Sequence, residues 1–150
     1  MLALFCQLSF CQSAAEELLN QYASAKHATF VMVPRPLMSV FLKQLVSKDS
    51  TANELAKRID KFQVLVLDES SRSVRKKCNR DVTGLLSRGF HQYARLTENG
   101  SNVLVQTYPT TENPSQILLS ITGGDNCTVV VLNGAFDDKF FDELKSVINL

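Results

Sequence analysis

The sequence predicts an α+β fold: a mixed, largely antiparallel sheet of about five or six strands with helices packed against it. Three observations carry that prediction. Before Phe90, apolar side chains recur mostly at helical spacing, interrupted by two short runs rich in strand-forming residues. From Phe90 onward the period falls to two, broken by turn residues at Asn99-Gly100, Asn113-Pro114 and Gly123-Gly124. The chain closes on a last amphipathic stretch, and its 150 residues suit one domain with a core that needs no metal or disulfide staple.

The elements follow in order. Ser13-Ala-Ala-Glu16 is a capping box, and Ala15, Leu18, Leu19, Tyr22 and Ala23 then mark one face of a first helix reaching about Lys26. Residues 28–33 read as a short strand, ended by Pro34-Arg35-Pro36. Residues 37–46 are apolar around most of a helical circumference, which predicts a largely buried helix. A polar connection at 48–51 and a short helical turn at 53–59 come next. Residues 62–67 are almost wholly apolar, as a strand covered on both faces requires. A helix should start at Asp68-Glu69, bury Val74, Cys78, Val82, Leu85 and Leu86, and end at Gly89. Asn99-Gly100 then joins strands at 93–97 and 103–108, because this dipeptide tolerates the positive φ angles of a tight hairpin turn. Further strands at 116–122 and 127–132 precede a final helix at 137–148, with Asp137 and Asp138 in its first turn.

Composition narrows the function classes. Hydrophobic residues make up 45% and charged residues 21%, which excludes a disordered chain. Sixteen basic against fifteen acidic residues give a net charge of +1, so overall charge points to no polyanion, and no nucleic-acid partner is expected. The opening residues 1–12 are nearly all apolar, too few to span a bilayer, and run into Gln12-Ser13-Ala14-Ala15. They read as the remnant of an export signal without its basic start, leaving a single domain at 13–150 and a periplasmic or secreted location. Cys6 and Cys11 each follow a phenylalanine, which argues against lipidation at either, with outer-membrane association through a lipid as the alternative.

The chemistry-bearing residues are sparse. Arg72, Arg75, Lys76, Lys77 and Arg80 place five positive charges within nine residues, and Arg72, Arg75, Lys76 and Arg80 fall on adjacent helix positions opposite Val74, Cys78 and Val82. They form the candidate surface for an anion or an acidic envelope partner, against the plainer reading of a solvated helix face. With the leader removed, Cys78 and Cys127 remain. They form either a disulfide, as an oxidising compartment favours, or two separate core thiols, as the apolar position of Cys78 favours. The four cysteines fit no zinc spacing, so no metal and no other cofactor is expected. His27 and His91 lack partner motifs, and Ser87-Arg-Gly89 lacks the glycine of a nucleophile elbow. Gly123-Gly124 leads into a strand rather than into a phosphate-cradling helix, and Asn126-Cys-Thr128 has only the spacing of a glycosylation acceptor.

Several segments together resemble the family called domain of unknown function 4252, small exported proteins of Bacteroidetes with lipoproteins among them. These are Leu19-Asn-Gln-Tyr22 with 28–33, then 59–67, then Tyr93-Ala-Arg-Leu96 with Gly100 and Val103-Leu-Val105, then Val131-Leu-Asn-Gly134 leading into Phe136-Asp137. The resemblance implies an envelope location and supplies no catalytic residue. The expectation is therefore a non-enzymatic, exported binding or accessory domain. Two rivals stand beside it: a hydrolase of an envelope polymer using Asp68, Glu69 or His91, and a carrier whose apolar cavity is lined by Phe41, Phe62 and Phe90.

Overall fold

The computed structural model describes residues 13–45 and 49–148. The expected leader and Val46 lie outside the described residues. The elements are α1 (Ala14–Ala23), β1 (Thr29–Pro34), a 3-10 turn (Arg35–Leu37), α2 (Met38–Leu45), α3 (Asp49–Arg58) and β2 (Ile59–Val66). They continue with α4 (Arg72–Gly84), a second 3-10 turn (Leu85–Arg88), β3 (His91–Glu98), β4 (Ser101–Tyr108), β5 (Gln116–Gly123), β6 (Asn126–Gly134) and α5 (Asp138–Ile148). The six strands form one sheet in the order β1-β2-β6-β5-β4-β3, and every neighbouring pair is antiparallel. The expected α+β class is present.

Helices cover both faces of that sheet. α1 and α4 seal one face over Leu65, Leu67, Leu104, Leu118, Val129 and Val131. α2, α3 and α5 seal the other over Val33, Val105, Ile117 and Leu132. Successive side chains of a strand point to opposite faces. Cys127, Val129 and Val131 of β6 thus enter the first core while Val130 and Leu132 enter the second. Burial on both sides is why the central strands read as continuous apolar runs.

Local signals act where their partners are near in sequence. The Ser13 hydroxyl accepts from the Glu16 amide at 3.1 Å and caps α1. Asn99 and Gly100 have φ of 51° and 80°, the two positive values of the tight hairpin turn between β3 and β4. Gly89 ends the second 3-10 turn at φ 99°. The Asp137 carboxylate accepts from the Phe140 amide at 2.9 Å and starts α5.

Three expectations need correction. α2 is not largely buried: Met38 and Leu42 are enclosed, but Val40 is 58% exposed and Leu37, in the turn before it, 56%. The helix lies over β1, an edge strand, which covers only one side of it. The turn expected at 53–59 is instead a ten-residue helix, α3, and β2 already begins at Ile59. α4 starts four residues later than expected. Its cap is Ser71, whose hydroxyl accepts from the Val74 amide at 3.3 Å, so Asp68 and Glu69 stay in the loop. α4 then carries the chain across the sheet, from the end of β2 to the opposite edge at β3.

Candidate functional site

The five basic residues on and around α4 divide into two groups. α4 packs Cys78 and Val82 onto the sheet, and its flanks face different neighbours. On one flank Arg72, Arg75, Lys76 and Asn79 face the turn between β5 and β6, where Thr122, Gly123, Gly124 and Asn126 stand. A cleft of about 160 Å³ lies between them, with Cys127 in its lining. On the other flank Lys77 and Arg80 face α1 across a groove of about 500 Å³, shared with Glu17, Asp81 and Arg88. There two carboxylates stand among three cations: Arg88 pairs with Glu17 at 3.6 Å, and Asp81 accepts from the Tyr22 hydroxyl at 2.5 Å.

Arg75 is not the solvated cation that helical spacing suggests. Its side chain is 16% exposed. One guanidinium nitrogen donates to the Ser70 carbonyl at 2.5 Å and to the Asp68 carbonyl at 3.5 Å. The other lies 3.4 Å from the carboxylate of Asp125, itself 94% exposed in the β5–β6 turn. Arg75 therefore ties the loop before α4 to the turn opposite, and fixes the width of the cleft. Arg72 and Lys76 pair with no carboxylate among the described residues. Three cations against one carboxylate leave the cleft positive, a setting that attracts anions.

The far wall depends on glycine. Gly123 has φ +132°, and a β-carbon there would collide with the Gly100 carbonyl of the neighbouring hairpin turn. Gly124 follows at φ +57° with open space around it. The chain can turn this tightly, and lie this close to the hairpin turn between β3 and β4, because Gly123 carries no side chain.

The two cysteines meet beside this cleft. Both are free thiols, 0% and 1% exposed, within the core under α4. Both belong to one core cluster. The neighbouring Cys127 side chain, then burial, pushes the Cys78 thiol up. The neighbouring Cys78 side chain holds Cys127 below the ordinary thiol value, with Arg75 assisting and burial and Asp68 opposing.

The other candidates are dispersed. The Asp68 carboxylate accepts from the Cys127 amide at 2.7 Å. Glu69 lines a separate hollow with Lys26, His27, Ser70 and Ser71. The Ser71 hydroxyl in that hollow is engaged with the Val74 amide at 3.3 Å and the Ser73 hydroxyl at 3.2 Å. His91 opens β3 at the far edge, with β6, β5 and β4 between it and β2. At about 4.8 Å per strand, that separates His91 from Asp68 by nearly 20 Å. The structure does not bring His91 to Asp68. Phe41 and Phe62 meet edge to face at 4.9 Å on one side of the sheet, whereas Phe90 lies in the core on the other. The three do not line one cavity. Among the described residues, no group of three His, Cys, Asp or Glu side chains could hold a metal ion. No helix among them is long and apolar enough to cross a membrane.

Sequence reading found the cations but missed Asn79, Gly123, Gly124 and Asn126, which complete the cleft. Gly123-Gly124 was visible as a turn, yet nothing local places that turn opposite α4. A family model described as "Domain of unknown function (DUF4252)" matches residues 22–144. No curated protein and no solved structure matches the chain.

Proposed function

Since the chain belongs to the DUF4252 family, we propose that it is an exported cell-envelope protein, periplasmic or secreted, that binds a partner rather than transforming a substrate. The binding surface is the cleft between α4 and the β5–β6 turn, and the group it takes is a carboxylate or phosphate of that partner. One observation carries this reading. Arg75 is held in place by two carbonyls and Asp125, while Arg72 and Lys76 beside it have no carboxylate partner among the described residues. An arginine fixed before the ligand arrives loses little side-chain freedom on binding, so its charge is used efficiently. The apolar character of residues 1–12 supports export. The separation of His91 from Asp68, and the engagement of Asp68 with a backbone amide, favour binding over catalysis.

The test replaces Arg72 and Lys76 with serine and leaves Arg75, because removing Arg75 would also release the loop it holds. Backbone amide shifts are followed as inorganic phosphate, then glucuronate, is added to the protein. Saturable shifts at Gly123 and Gly124, absent from the double variant and weakened by added salt, are expected. No shift at the turn, or shifts that survive in the double variant, would remove the cleft from consideration.

A further inference from the structure

We propose that the open half of the second sheet face is the docking site for an amphipathic helix of a partner protein, laid across the strands as α4 is laid across the first face. The inference goes beyond the anion cleft and does not depend on it, since that cleft lies on the α4 side of the sheet.

Pairing register lines up two rows of side chains on this face. One runs from Val31 through Val64 and Val130 to Leu119. The next runs from Val66 through Thr128 and Ile121 to Val103 and Leu96. Residues directly opposite in antiparallel strands point to the same side. Val130 and Val103 pack against the second core, which places both rows on its side. α2, α3 and α5 leave these rows open. Val31 is 45% and Leu96 40% exposed, Val64, Val66 and Ile121 are half-buried, and all five lie outside both cores. On the other side of the same strands, Leu65, Val129 and Leu104 are enclosed under α4. A sheet face turned to water ordinarily carries polar side chains. Here the rows hold valine, leucine and isoleucine, with threonine at 29 and 128 and no charge.

Size selects the occupant. Six strands span about 24 Å and two rows about 13 Å, so the open area is roughly 300 Å². A stable dimer needs roughly 800 Å² from each copy, more than this face offers. A helix is about 10 Å across, and about 16 residues of it span about 24 Å. α4 shows the match: its 13 residues carry the chain from the end of β2 to the β3 edge, with Cys78 and Val82 against the sheet. Among the described residues, the second face has no helix that encloses Val64, Val66 and Ile121 in that way. The partner helix supplies an apolar stripe at helical spacing and keeps a polar outer face.

Two phage-displayed libraries of peptides about 18 residues long are panned on the full-length chain, one with its randomised apolar positions at helical spacing, one with them alternating. Enriched peptides are titrated by fluorescence anisotropy against wild type, Ile121→Lys and the double variant Val31→Lys/Leu96→Lys. Enrichment from the helical library alone is expected, with binding at least about tenfold weaker in both variants. Binding should be unchanged in Arg72→Ser/Lys76→Ser, which separates this face from the anion cleft. No enrichment, enrichment from the alternating library, or helices that bind the lysine variants as tightly as wild type would overturn the proposal. If Ile121→Lys fails to fold, the double variant decides, since both of its sites are exposed. The wild-type chain is expected to sediment as a monomer. A dimer that the double variant dissociates would assign the face to a second copy instead, and flotation with phosphatidylglycerol vesicles that the double variant abolishes would assign it to a bilayer.

Discussion

Asp68 completes the edge that β2 leaves unfinished beside Cys127. The backbone pairing of β2 with β6 closes at Val66 and Thr128. Beyond it, the Leu67 amide donates to the Cys127 carbonyl at 2.8 Å, and the Asp68 carboxylate accepts from the Cys127 amide at 2.7 Å. A side chain thus supplies the acceptor that one more strand residue would have given. Replacing Asp68 with alanine strands a buried N–H and should lower the free energy of unfolding by about 1.5–3 kcal/mol. Asp68→Asn keeps an acceptor oxygen and should lose clearly less. Urea denaturation of the two variants checks the order; equal losses would mean that charge, not the acceptor, is what Asp68 contributes.

Tyr22 and Asp81 give the fold an alkaline limit. The Tyr22 hydroxyl is enclosed between α1 and α4 and donates to Asp81 at 2.5 Å. Burial, then that hydrogen bond and the negative charge of Asp81, raise its pKa well above the ordinary tyrosine value. The folded state therefore holds a proton that the unfolded chain releases above about pH 10. Stability from this contact is complete below that pH and falls as pH rises toward the folded value. Tyr22→Phe should lose some stability at neutral pH and show a shallower decline above pH 10. Thermal unfolding followed across the alkaline range measures both; parallel declines in the two proteins would show that another group sets the limit.

On α2 the boundary between buried and exposed apolar residues is sharp enough to test with two substitutions. Leu42 is enclosed with Met38 against the second core, whereas Val40 looks into solvent at the margin of the sheet. Leu42→Ala removes packed methyl groups and should cost about 2–5 kcal/mol. Val40→Ser should stay within about 0.5 kcal/mol of the parent. A large loss at Val40, measured by the same denaturant series, would mean that something covers this face in solution.

These cases also mark what could be read from the sequence. Ser13, Gly89 and the Asn99-Gly100 turn act on partners a few residues away, so their chemistry is local and legible. The two-sided apolar runs revealed the sheet for the same reason. Asp68 was misread as a helix start because an acidic residue before a helix is ordinarily a cap, while its true partner, Cys127, lies on a strand that only the tertiary fold brings near. Arg75 was assigned to solvent because helical periodicity says nothing about Asp125 or the carbonyls of the preceding loop. The cations of the cleft were therefore visible, and its opposite wall was not. The exposure of α2 was hidden too, because its apolar pattern does not reveal that the strand beneath it is the last in the sheet.

Oxidation of the cysteine pair should change stability by an amount that loop closure sets. Cys78 and Cys127 enclose about fifty residues, and cross-linking a loop of that length removes unfolded-state entropy worth about 4 kcal/mol in the chain-entropy model. At roughly 2–4 °C per kcal/mol for a chain of this size, Tm should rise by about 8–16 °C on oxidation. The gain also requires that the bond form without distortion. Their place in one core cluster favours this, and the stiff α4 and β6 on which they sit oppose any large adjustment. Calorimetry of protein equilibrated with oxidised glutathione, then reduced and rescanned, should show the rise and its reversal. Cys78→Ala should show no shift between the two conditions. A wild-type disulfide that forms yet leaves Tm unchanged would mean that native-state strain cancels the entropic gain.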